Sequence, residues 1–267
     1  MQHYRHDQAH LRAKSARTKF FYYTLALLFL IFLSTYLAGD LRSFNFESLL
    51  GVFNRLSPKT LASDAGFTVL RVFAAYFVGL TLTLVFLFFI AQSKAVENFL
   101  VSIFDILQGV PVLAFFPLMI VVFARLNLPE IAALIVLVIS SFWSVLFGAI
   151  GGYNQIPQDI LDAARIFNGS RTRIFFRVIL PAIVPSLVTG SIICFGQSWN
   201  VIIISEYINY GNISMRLHGL GNLLSSSSGN DNGVFIVALL SLVIIIFTLD
   251  RFLWAPLLNY SEKYKFQ

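Results

Sequence analysis

The side chains able to do chemistry are few, and most stand alone. His3, His6 and His10 are spaced to share a helix face, but they lie in a polar tail, where a disordered segment is expected rather than a metal site. The single cysteine, Cys194, sits inside an apolar run, which excludes an intramolecular disulfide and points to no redox role. No GxxxxGK[ST] phosphate loop, HExxH pair or GxSxG nucleophile turn occurs. The chain therefore reads as a non-enzyme, with no catalytic residue, no metal site and no cofactor of its own.

The informative polar groups are those set inside apolar runs, where burial in lipid is costly. Arg71, Asp105, Gln108, Gln197, Ser198, Asn200, Ser205 and Glu206 are of this kind. Two readings stand. Arg71 and Glu206 snorkel to a membrane interface while the others tie helices together, or the group lines a solute path. The path candidates are Arg71, Gln108, Pro111, Trp199, Asn200 and Glu206; Asp105 fits the tying role better. Pro111 and Pro117 free backbone carbonyls that must be satisfied inside protein or face a cavity. Gly79, Gly148, Gly190 and Gly196 allow close helix packing.

One stretch has a grammar of its own. Gln155–Pro185 is the long polar and basic interruption in the second half of the chain. Pro157 suits a first helical turn, and Asp159 and Asp162 suit the positive end of that helix. Ile160, Ala164 and Phe167 recur at helical spacing. Asn168-Gly169 ends the helix, since both tolerate a left-handed backbone. Ser170 can cap a second short helix carrying Arg173 and Arg177, which Leu180-Pro181 closes.

These residues need a membrane scaffold. The chain is 57% hydrophobic and 12% charged, against about 25% charged in soluble domains. The expected fold is an all-α polytopic membrane protein with six transmembrane helices. Residues 1–19 form a polar tail. The spans are Phe20–Ala38, Phe67–Ala91, Phe99–Ala124 (broken by Pro111 and Pro117), Ile131–Ile150, Ala182–Ile208 and Val234–Leu253, and 257–267 are a second tail. Gly39–Gly66 is a mixed polar connection, and Ser225–Gly229 reads as a mobile loop. Most lysines and arginines fall on the side of the N-terminus; Arg42, Arg55, Lys59, Arg125 and Arg216 fall on the other. The positive-inside rule then places both termini and the 155–181 element in the cytoplasm.

Asp162–Pro181 resembles the cytoplasmic "EAA" loop of the permease subunits of binding-protein-dependent ABC importers. That pattern is Glu-Ala-Ala, three residues, Gly, nine residues, Ile, any residue, Leu-Pro. Here Asp162-Ala163-Ala164 stands for the opening, Asn168 stands at the glycine, and Val178-Ile179-Leu180-Pro181 ends it. Asp162 shortens the acidic arm, and Asn168 is the non-glycine residue best suited to a left-handed turn. The similarity extends over 67–256. Its weaker segments, among them Thr68–Arg71, Ser198–Asn200 and Asp250–Trp254, look like the sulfonate, taurine, nitrate and bicarbonate branch.

The resemblance implies a permease subunit in a prokaryotic inner membrane. Its partners would be cytoplasmic ABC ATPase subunits, which carry ATP and Mg, a second permease subunit (identical or related) and an extracytoplasmic solute-binding protein. It implies ATPase coupling through Ile160, Asp162, Ala163, Ala164, Phe167, Asn168, Gly169, Leu180 and Pro181, with helices between the fourth and fifth spans forming the coupling pair. It favours an anion or sulfonate-like solute. Amino-acid or metal-complex import, or a non-transporting scaffold, are the alternatives.

Overall fold

The computed structural model of the chain describes residues 51–52, 55–126, 128–167, 169–210 and 213–264. The N-terminal tail, the span Phe20–Ala38 and Asn168 lie outside the described residues. The chain divides into units at Asn54/Arg55, and the account below concerns the second.

Ser57 starts the first helix. Its hydroxyl accepts from the Lys59 N–H, and Pro58 sits in the first turn, where a missing N–H costs nothing. This helix, α1, runs from Pro58 to Ile90, beginning well before the apolar run at Phe67. Hydropathy marks the part of a helix that lipid surrounds, whereas the cap decides where it starts. Ser93 caps α2, Lys94–Gln108, by accepting from the Val96 N–H. The predicted third span then divides. α3 begins at Val112 and ends at Arg125. Pro111 is the cause: it has no N–H to donate, and it drives the residue before it out of helical geometry.

α4 follows as Pro129–Asn154, and the short α5 as Gln158–Ile166. The Ser170 hydroxyl accepts from the Arg173 N–H and starts α6, which runs unbroken over Arg171–Glu206. Leu180-Pro181 does not close a helix, contrary to the sequence expectation. The Leu180 N–H donates to the Phe175 carbonyl five residues back, forming a π turn over Phe175–Ile179. The wider turn carries the ring of Pro181 past carbonyls it would otherwise strike. The last helix, α8, repeats the device. Within Asn232–Tyr264, the Ala255 N–H donates to the Asp250 carbonyl just ahead of Pro256. The expected C-terminal tail is therefore helical as far as Tyr264.

Between α6 and α8 the chain makes a small antiparallel hairpin, β1 (Tyr207–Tyr210) and β2 (Ile213–Arg216), then α7 (Leu220–Ser227). The serine-rich segment, expected as a loop, is thus partly helical. The Ser226 and Ser227 hydroxyls return to carbonyls one turn back, at Asn222 and Leu223, and spare the backbone their competition.

Four described helices are long and apolar enough to cross a membrane: α1, α4, α6 and α8. Their shared core has two parts. At the α5 end, Leu87, Phe142, Leu146, Ile150, Ile179 and Ile183 pack together, with Leu161 of α5 inserted among them. At the other end Val72, Leu137, Phe195, Trp199, Ile202 and Trp254 pack together. α4 and α6 run side by side through both parts. A Cβ on Gly190 would lie 2.7 Å from the Ser144 carbonyl oxygen, so glycine there lets the two backbones meet.

Candidate functional site

Three features lie along this four-helix frame. The first is α5. Leu161 anchors it, while Asp162 and Ala163 face outward and Ile160 and Ala164 are half-buried. Ile166 is 81% exposed and Phe167 85%. Ile160 thus leans on the chain's own core. The outward apolar pair is Ile166 and Phe167, of which the sequence reading named only the second. Arg165 bonds Asp162 at 2.8 Å one turn back on the same face. Gly169 donates its N–H to the Ala164 carbonyl and closes the turn. Leu180 and Pro181, both partly buried, lie within the continuous α6, so α5 is joined to a spanning helix by one short turn.

The second feature is at the opposite end. Arg71 on α1 is buried, and all three nitrogens of its guanidinium donate to acceptors. Nη1 donates to Glu206 Oε1 at 2.6 Å and to the His218 carbonyl at 2.7 Å. Nε and Nη2 form a fork with the two oxygens of Glu130, at 2.7 and 2.8 Å. Glu206, fully buried at the end of α6, also accepts from the Thr68 hydroxyl at 2.9 Å and the Gly221 N–H at 2.7 Å. Thr68 in turn accepts from the Leu220 N–H at 2.8 Å. Gly219 lies against the Glu206 carboxylate, where any Cβ would collide with it. A buried charge is tolerated only when paired and hydrogen-bonded, and here the partners come from several elements. The cluster ties α1, α4, α6 and the start of α7 together. Sequence reasoning marked Arg71 and Glu206 separately and missed Glu130, which it placed in a tight loop.

The third feature is a cavity of about 850 Å³ on one face of α4 and α6. From α4 come Ser140, Ser144 and Gly148, with Gln155 just past its end, and from α6 come Ala182, Ser186, Thr189 and Gln197. Their spacings of three, four, seven or eight place each set on one helix face. Gln108 at the end of α2 and Tyr264 at the end of α8 complete it. The lining holds no charged side chain among the described residues; it offers hydroxyls, carboxamides, glycines and the apolar surfaces of Trp143, Phe147 and Ile193. Ser144 Oγ donates to Gln197 Oε1 at 2.8 Å across the two helices. The cavity runs from the α5 end, at Gln155 and Ala182, to the level of Ser140 and Gln197 within the spans.

Of the residues marked in the sequence as path candidates, Gln108 alone lines this cavity. Arg71 and Glu206 lie in the paired cluster, and Trp199 is buried in the core beside Phe195. Asn200 is exposed and donates to the Gly196 carbonyl, and Pro111 is exposed at the α2–α3 break. Ser140, Ser144, Ser186 and Thr189 were passed over. Their signal was the stripe of small polar residues shared by two apolar helices.

Residues 88–253 match the family described as the binding-protein-dependent transport system inner membrane component. The chain is 31% identical over 180 residues to the nitrate import permease protein of Synechocystis sp., covering 67% of this chain and 61% of that protein. It is 33% identical over 122 residues to the bicarbonate transport system permease protein of Synechococcus elongatus, covering 46% and 43%. It is 27% identical over 167 residues to the taurine transport system permease protein of Escherichia coli, covering 62% and 56%. The chain thus spans less than two thirds of the length of these relatives. Among solved structures, a chain of the methionine ABC transporter in an inward-facing conformation superposes with a TM-score of 0.65 at 19% identity, covering 77% of this chain and 99% of that one. An amino acid ABC transporter superposes at 0.56 and 17% identity, covering 82% and 98%. At such identities the likeness is one of fold.

Proposed function

The chain belongs to the family of binding-protein-dependent transport system inner membrane components, and on that premise we propose that it is the permease subunit of an ATP-driven importer of a small oxoanion or sulfonate. The observation that carries this reading is the cavity on α4 and α6. It is uncharged, rich in hydroxyl and carboxamide groups, and continuous from the α5 end into the spans. A solute there replaces its hydration with neutral donors. Such donors hold an anion without fixing it, as a path that must also release its cargo requires. The chemistry named for the relatives, nitrate, bicarbonate and taurine, favours an oxoanion or sulfonate.

In this reading the α5 end and both termini are cytoplasmic. The cavity is then the inward-open half of an alternating-access path. α5 docks on a separate ATPase subunit that holds ATP and Mg. Ile166 and Phe167 supply the apolar contact, and Asp162 its polar rim. The single turn from α5 into α6 passes a domain movement into the membrane. A second permease subunit, identical or related, faces the cavity, and a solute-binding protein delivers from the other side. The Arg71–Glu130–Glu206 cluster holds that outer end together and is not a solute contact. The test is to purify the chain with its accompanying subunits in nanodiscs and measure ATP hydrolysis with candidate binding proteins loaded with nitrate, bicarbonate or taurine. Stimulation that needs both protein and solute supports the reading. Absence of any ATPase from the purified complex overturns it.

A further inference from the structure

A second recess, of about 320 Å³, opens where the end of α1 meets the α5–α6 turn. Its walls are apolar, with Phe88 and Phe175 in edge-to-face contact at 5.3 Å between ring centres. Its polar groups are Gln92, Tyr153, Arg165 and Arg171. Arg171 spends one guanidinium contact on Gln92 Oε1, at a long 3.3 Å. Arg165 meets Asp162 at the exposed surface. Two guanidiniums therefore border one apolar hollow with most of their donors uncommitted among the described residues. The place is also particular. Gln92 follows the end of the spanning helix α1, so the recess lies at the level of the lipid headgroups. Phe89 and Phe176 beside it are about half exposed and face outward.

We propose that this recess binds a phosphate group at the membrane edge, supplied by the headgroup of an anionic phospholipid or by a free phosphate anion. Guanidinium forks match phosphate oxygens in pairs and hold them more specifically than an ammonium does. The tyrosine hydroxyl and the glutamine amide add neutral donors. The exposed phenylalanines give acyl chains an apolar path from the headgroup into the bilayer. A positive-inside charge bias alone needs no hollow and no aromatic wall. This inference rests on the recess and its membrane level and is independent of the transported solute.

The full chain, with the subunits that accompany it, is equilibrated with phosphatidylglycerol or phosphatidylcholine, and retained lipid is counted by native mass spectrometry. Retention of phosphatidylglycerol over phosphatidylcholine is expected. The Arg165→Gln/Arg171→Gln variant should lower it about tenfold or more, since charge-assisted bonds are the strong ones. Ile174→Trp, which fills the recess and keeps both arginines, should do the same. Arg173→Gln/Arg177→Gln, outside the recess, should leave retention unchanged. A competition arm with inorganic phosphate identifies the source: displacement of the lipid, with a raised melting point in lipid-poor detergent, assigns a free-anion site, and no effect assigns the headgroup. Equal retention of the two lipids with no effect of inorganic phosphate overturns the proposal. So does an equal loss on neutralising Arg173 and Arg177.

Discussion

Arg71 and Glu206 are 135 positions apart in the chain and 2.6 Å apart in space, and neither side chain reaches solvent to any extent. The pair joins the first half of α1 to the last residue of α6. Glu130 enters from α4 with its side chain still 60% exposed, so the two halves of the cluster differ in what their loss should cost.

Arg71→Met leaves the Glu206 carboxylate buried without its counter-charge. Stability should fall by about 3–5 kcal/mol, the range for breaking a buried pair. Glu130→Gln removes an exposed partner and should cost about 0–1 kcal/mol. Thermal unfolding of the two variants in detergent compares them, and equal losses would contradict the asymmetry.

On α5 the same contrast separates folding from docking. Leu161→Ala empties a core position and should destabilise by about 2–5 kcal/mol. Phe167→Ser changes an exposed side chain and should stay within about 0.5 kcal/mol of wild type. Even so, it should lose most of the ATPase that co-purifies with the chain. An unaltered subunit ratio on size exclusion would remove Phe167 from the docking surface.

The α4–α6 contact tolerates no side chain at Gly190, where a Cβ meets the Ser144 carbonyl. Gly190→Leu should cost about 1–3 kcal/mol or more through overpacking. At Gly196 on the same helix an added Cβ meets nothing within 4 Å. Gly196→Ala should therefore raise stability by up to about 1 kcal/mol, from helix propensity. Melting points of both variants decide whether close approach is local to Gly190.

Gln197→Leu removes the acceptor for Ser144 at the far end of the cavity from α5. If this face carries the solute, KM for uptake by reconstituted vesicles should rise about tenfold, the worth of one hydrogen bond at roughly 1.4 kcal/mol. Co-purification with the ATPase should be unchanged. A KM identical to wild type for nitrate, bicarbonate and taurine alike would take Gln197 out of the path.

Much of the fold was legible because its signals are local. Lipid demands long apolar runs, so hydropathy located the second, fourth, fifth and sixth spans, whereas the third is divided at Pro111. The ends were set by capping hydroxyls at Ser57 and Ser93 and by π turns ahead of Pro181 and Pro256, which no hydropathy window registers. Pro181 was read as a stop because the local rule is sound. It failed because a wider turn moved the clash away.

The sequence by itself determined that this is a helical membrane protein, and it marked Asp162–Pro181 by a spacing that resembles the coupling loop of importer permeases. Those conclusions rest on composition, periodicity and motif, all of which are local in the chain. Only the tertiary structure decided which polar residues face one another. It set Arg71 against Glu130 and Glu206 and away from the cavity. It turned Ile160 inward and Ile166 outward, and it aligned the small polar stripes of α4 and α6 into one cavity. The physical reason is that a buried charge or hydroxyl takes its meaning from its partner, and these partners lie on helices brought together by packing far along the chain.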